Sequence, residues 1–122
     1  MTQPVALVIE DDDTLATIFA QALQMAGYTT QVIGDDETAL QVLATVTPDL
    51  IVLDMHLPGI SGKQVLPAIQ DSGNLQRARL IIATADSGLA ATLQQQADLV
   101  LVKPVSFHQL RQFAARLRPR LD

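Results

Sequence analysis

Leu50-Ile-Val-Leu-Asp54 runs straight into Met55-His-Leu-Pro-Gly-Ile-Ser-Gly62. Four consecutive apolar residues with no alternation read as a strand buried on both faces, the pattern of a parallel sheet. The strand, Leu50 to Leu53, is expected to end on the Asp54 carboxylate, where the chain enters a Pro/Gly loop. In open α/β sheets, ligands and chemistry collect outside the carboxyl ends of the strands, so Asp54 stands where a reactive acid belongs. Three more strand ends carry polar groups: Glu10 and Asp11, Thr84, and Lys103.

Outward from that strand, apolar runs and helical spacings alternate along the whole chain. Val5–Ile9 reads as a strand stopping at Glu10-Asp-Asp-Asp13. Leu15, Ile18, Phe19, Ala22, Leu23 and Ala26 then recur at helical spacing, with Asp13 able to cap the start and Gly27 the end. Tyr28–Ile33 is a second strand, and Asp35 or Asp36 opens a helix that ends before Pro48. Beyond the central strand, Lys63–Gln70 reads as a helix that Pro67 must shorten or kink. Leu80–Thr84 is the fourth strand, Ser87 or Gly88 to Gln96 a weakly amphipathic helix, and Leu99–Val102 the fifth strand. Ser106-Phe-His-Gln109 matches a capping box before a last helix through Leu110, Phe113, Ala114 and Leu117. Five strands alternating with five helices imply an α/β fold, a doubly wound parallel sheet with right-handed crossovers.

Composition sets the bounds. A chain of 122 residues, 48 % apolar and 17 % charged, is expected to form a single domain over 1–122 with a real core. The absence of cysteine removes disulfides and zinc-thiolate sites. No apolar run reaches membrane-spanning length and the N-terminus lacks signal-peptide character, so the expectation is a cytoplasmic protein without a membrane partner. The net charge of −5 argues against direct binding of nucleic acid. The arginines 111, 116, 118 and 120 suit the macrodipole of a terminal helix, a docking role being the weaker reading.

If the first strand is flanked by the third, the acids Glu10, Asp11 and Asp54 crowd together, and something cationic must hold them ionised. Lys103 is one candidate and a hard divalent ion with oxygen ligands is the other. Such a site polarises a phosphoryl group and lets a carboxylate attack phosphorus in line. A Thr hydroxyl and a Lys ammonium can each take one oxygen of the acyl phosphate formed.

Val8-Ile-Glu-Asp-Asp12, Leu53-Asp54-Met-His-Leu-Pro58-Gly59, Ala83-Thr84-Ala85 and Val102-Lys103-Pro104 together resemble the motifs of the CheY-like receiver domain of response regulators in two-component signalling. The resemblance implies a flavodoxin-like (βα)5 sheet of strand order 2-1-3-4-5. It implies Asp54 as phosphoacceptor, receiving phosphoryl from a histidine kinase or a phosphotransfer protein. Glu10, Asp11, Asp54 and the backbone carbonyl of His56 would hold Mg²⁺ (or Mn²⁺). Thr84 would move to the phosphoryl oxygen, Ala85 would leave room for access, and Lys103 would pair with the phosphate. Lys103-Pro104 would be a cis peptide, and His56 and Asp86 stand where family members tune dephosphorylation.

Two positions depart from the family pattern. Val100 and Val105 stand where many receivers carry aromatics, and a β-branched side chain cannot report a switch by swinging inward. Output is therefore expected through other surfaces. Helix four, with Leu89, Leu93 and glutamines 94–96, offers a partner face or a phosphorylation-dependent dimer. The chain stops just past the last helix, which fits a stand-alone receiver, a phosphate shuttle or part of a longer protein; the downstream target stays unnamed.

The functional expectation is a phosphorylation-controlled module that turns over no external substrate. A pseudo-receiver binding partners without phosphorylation is the alternative. A small Mg²⁺ phosphohydrolase ranks last, because His56 occupies the place of the second acid such enzymes use and no cap domain is present.

Overall fold

The structure, a computed structural model, describes residues 3–55, 62–75 and 77–119. The elements are β1 (Val5–Ile9), α1 (Asp13–Met25), β2 (Thr29–Ile33), α2 (Asp36–Thr45), β3 (Leu50–Met55), α3 (Gly62–Asp71), β4 (Arg79–Thr84), α4 (Ser87–Leu93), β5 (Leu99–Val102) and α5 (Phe107–Leu117). β1, β3, β4 and β5 are built on apolar runs, while β2, at the sheet edge, is Thr29-Thr-Gln-Val-Ile33 and mostly exposed. The strands form one parallel sheet in the order β2-β1-β3-β4-β5, as expected, with a short 3₁₀ turn at Gly73–Leu75.

Strand alternation divides the core in two. Ala6, Val8, Leu50, Val52 and Ile81 face α1 and α5, where Phe19, Leu23, Leu110 and Ala114 close the layer. Leu7, Ile9, Ile51, Leu53 and Ile82 face the other way, against Ala39 and Leu43 of α2, Val65 and Ile69 of α3, and Ala90 and Leu93 of α4. Both faces of β1 and β3 are covered, which is why those runs show no polar alternation.

Several boundaries differ from the sequence reading. Asp12, not Asp13, caps α1, its Oδ1 accepting from the Leu15 amide at 3.0 Å. Asp13 already has helical geometry as the first residue, where its charge suits the positive end of the helix dipole. Tyr28 lies before β2 instead of in it: its ring is buried and its hydroxyl donates to the Ala114 carbonyl at 2.8 Å, tying the α1–β2 turn to α5. That turn uses Gly27 at φ +103°, a conformation L side chains rarely adopt. Pro67 sits inside α3 without ending it, the helix running on to Asp71. β3 extends one residue past Asp54, because β4 supplies ladder partners for Asp54 and Met55 at Ala83 and Thr84.

Helix four stops at Leu93, and Gln94–Gln96 form a turn outside it. Leu93 is buried and Leu89 half-buried against the core, so the apolar residues expected to present a partner face point inward instead. With only seven residues, α4 has no second apolar stripe to offer.

Candidate functional site

The parallel register brings the site together. Ile9 pairs with Leu53, so the next residues, Glu10 and Asp54, run side by side. By alternation both continue the face of Val8 and Val52, and Lys103 continues that of Leu99 and Leu101. The three side chains therefore converge over the α1/α5 layer at the carboxyl end of the sheet.

The contacts follow from that placement. Asp54 is completely buried, and Lys103 Nζ lies 2.6 Å from its Oδ2. Glu10 is 1 % exposed; one oxygen accepts from the Asp12 amide at 3.2 Å, while Oε2 is buried with no hydrogen-bond partner among the described residues. Burial pushes the Glu10 carboxyl up to about 8, and the neighbouring Asp54 carboxyl adds to the rise. The Asp12 amide and the Lys103 ammonium pull the other way and are overcome. Two acids pressed together in a dry site require a proton or a cation beside them.

Thr84 is buried at the end of β4, and its hydroxyl oxygen accepts from the Asp86 amide at 3.1 Å. The Asp86 side chain in turn caps α4, accepting from the Leu89 amide at 3.0 Å. The Thr84 carbonyl accepts from the Lys103 amide at 2.8 Å, which fixes the lysine at the mouth. The Lys103-Pro104 bond is cis, the geometry the family resemblance implies. Ala85 is exposed beside Thr84, and Val100 is buried with Ala90 and Leu93 under α4. Asp11 is exposed at the rim. The His56 carbonyl and side chain, and Pro58 and Gly59, lie outside the described residues.

An oxygen-only donor set with a buried, unsatisfied Glu10 oxygen has the chemistry of a hard divalent ion site. Among the described residues no three His, Cys, Asp or Glu side chains stand close enough together to hold an ion as they are. Glu10 and Asp54 are adjacent, and Asp11 is the exposed acid next to them in the chain.

Sequence reading missed some residues that hold the opposite edge of the sheet. Asp49 Oδ2 accepts from the Val5 amide at 2.8 Å and Asp98 Oδ2 from the Leu80 amide at 2.7 Å. Arg118 donates to the Ala26 carbonyl at the end of α1, an intramolecular tie in addition to any effect on the α5 dipole. The partners are 44, 18 and 92 residues apart, and no local pattern announces such pairs.

The response regulator receiver domain family model matches residues 6–115. The DNA-binding response regulator MtrA of Mycolicibacterium smegmatis is 33 % identical over 115 residues, which are 94 % of this chain and 49 % of MtrA. The chain spans about half the length of the curated relatives it matches first. The signal receiver domain of a LuxO repressor protein from Vibrio parahaemolyticus superposes with a TM-score of 0.81 at 32 % identity, covering 95 % of this chain and 90 % of that one. The receiver domain of sensor histidine kinase PA1611 from Pseudomonas aeruginosa PAO1, which carries a magnesium ion in its active-site cleft, shares the fold. Its TM-score is 0.81 at 24 % identity, covering 95 % of this chain and 98 % of that one.

These relatives correct one expectation. Nucleic acid was excluded as a partner on a net charge of −5, yet MtrA is a DNA-binding response regulator. The charge of a receiver speaks for that domain alone, and half of MtrA lies outside the match. From the family match across β1 to α5 and the relatives' identity over nearly all of its length, the chain belongs to the response-regulator receiver domains of two-component signalling.

Proposed function

We propose that Asp54 is the phosphoacceptor of this receiver and takes its phosphoryl group from a phosphohistidine donor. A carboxylate oxygen of Asp54 attacks phosphorus; the P–O bond forms as the P–N bond to the donor imidazole breaks, and its electron pair returns to the ring. The observation that carries this reading is the ion pair of a fully buried Asp54 with Lys103 at 2.6 Å, against the Glu10 carboxyl.

Lys103 pairs with the nucleophile at 2.6 Å before transfer and afterwards offers its ammonium to a phosphoryl oxygen. The Thr84 hydroxyl, whose oxygen accepts from the Asp86 amide, donates its proton to a phosphoryl oxygen, with exposed Ala85 leaving the approach open. Glu10, Asp11, Asp54 and the His56 carbonyl would hold Mg²⁺ or Mn²⁺, which when bound would supply charge neutralisation at the phosphoryl oxygens. His56 and Asp86 are the positions that set the lifetime of the acyl phosphate. The protein takes one phosphoryl group per cycle and changes conformation and partner binding; a shift from mostly inactive to mostly active needs about 5.5 kcal/mol of differential stabilisation. Nothing among the described residues favours a phosphorylation-independent binding module.

Incubation with acetyl phosphate and Mg²⁺, followed by intact-mass measurement, tests the reading. One phosphoryl group is expected on the wild type and none on Asp54→Asn. Equal incorporation into both removes Asp54 from the role.

A further inference from the structure

The amino-terminal edge of the sheet, opposite Asp54, holds a half-enclosed cleft of about 850 Å³ between the start of β4 and the end of α5. Of the eight lysines and arginines in a chain of net charge −5, four line it: Arg77, Arg79, Arg116 and Arg118. Arg79 is ion-paired with Asp98 at 3.2 Å. Arg116 lies over the Phe113 ring at 5.9 Å and Arg118 donates to the Ala26 carbonyl, so four arginines stand against two acids in the wall. Arg77 is exposed. The two acids in the wall, Asp49 and Asp98, already accept the Val5 and Leu80 amides.

We propose that this cleft binds a phosphorylated small molecule of nucleotide size. Guanidinium groups present planar forks that match phosphate oxygens, and several in one concavity select for more than one negative charge. The volume is at the upper end of small-molecule sites and far exceeds what a bare phosphate fills. Leu117, Pro119 and Ala78 give the wall an apolar strip on which a ring can lie. The cleft shares no residue with the phosphoacceptor site, so the proposal stands apart from the chemistry of Asp54.

The test titrates the full chain with ATP in EDTA, following backbone amide resonances. Saturable shifts are expected at Arg77, Arg79, Asp98 and Leu117, with none at Glu10 or Asp54. The exposed pair Arg77→Gln/Arg116→Gln should weaken binding at least tenfold at an unchanged unfolding midpoint, whereas Arg111→Gln, outside the cleft, leaves the affinity as it was. Pyrophosphate should bind at least tenfold more weakly than ATP. The proposal is overturned by shifts centred on Asp54, by an equal loss in Arg111→Gln, by pyrophosphate binding as tightly as ATP, or by a polyglutamate peptide binding where ATP does not.

Discussion

Replacing Glu10 by Gln should make the metal-free protein more stable at alkaline pH, and the structure gives the size of the effect. The Glu10 carboxyl is raised from 4.5 to about 8, first by burial and then by Asp54. Above pH 4.5 the unfolded chain releases a proton that the native chain still holds, so each rise in pH favours unfolding until the native carboxyl ionises near 8. At about 1.36 kcal/mol per pH unit, that interval corresponds to about 5 kcal/mol lost between pH 4.5 and 8. Water entering the mouth as Glu10 ionises raises the local dielectric, so the observed loss should fall below that figure. The Gln side chain keeps the shape and cannot ionise, so its stability should stay level over the same range. Urea unfolding in EDTA at steps from pH 5 to 9 reads both curves. Adding Mg²⁺ at pH 8.5 should restore the wild type more than the variant, since a ligand bound only by the native state stabilises it by mass action. Parallel curves for the two proteins would refute the account of Glu10 as an acid strained by burial and by Asp54.

Three further substitutions probe the scaffold by chemical denaturation. Tyr28→Phe removes the buried donor to the Ala114 carbonyl and should cost about 1 kcal/mol. Ser106→Ala breaks the capping box at the start of α5, in which Ser106 and Gln109 satisfy each other's backbone amides, and should also cost about 1 kcal/mol. Gly27→Ala places a Cβ at φ +103° and against the Arg118 guanidinium, and should cost about 1–3 kcal/mol; Arg118→Ala in the same background should recover part of that loss.

The fold was legible because short apolar strands and amphipathic helices carry different periods, and every strand but the edge strand β2 is a nearly pure apolar run. Element ends were less so. Gln94–Gln96 have the propensity of a helix but no apolar side to pack, and α4 stops where its buried residues stop, at Leu93. Asp12 and Asp13 are equivalent as cap letters, and only the direction of the chain leaving β1 chooses Asp12. At the site, Glu10, Asp54 and Lys103 were visible as polar residues ending apolar runs. Their shared face follows from counting by twos along each strand, which also explains why Glu10 and not Asp11 meets Asp54. What the sequence hid was the partnership of Tyr28 with Ala114, 86 residues away, and the gathering of four arginines at one edge.

The distribution of acids argues for Asp54 by elimination as well. Asp12, Asp35 and Asp86 each cap a helix, their oxygens accepting from Leu15, Thr38 and Leu89 amides. Asp49 and Asp98 do the equivalent work at the starts of β1 and β4. These are the positions that a short acceptor side chain fills in any fold, and each lowers free energy by satisfying a backbone donor that has lost its regular partner. Glu10 and Asp54 differ in kind: they are the two acids buried at the carboxyl end of the sheet, brought together against their mutual repulsion with one lysine between them and water. A fold selected only for stability would place apolar residues there, since a buried ion pair seldom outperforms well-packed hydrophobic side chains. Keeping a charged cluster at that cost is the mark of a site whose chemistry needs it.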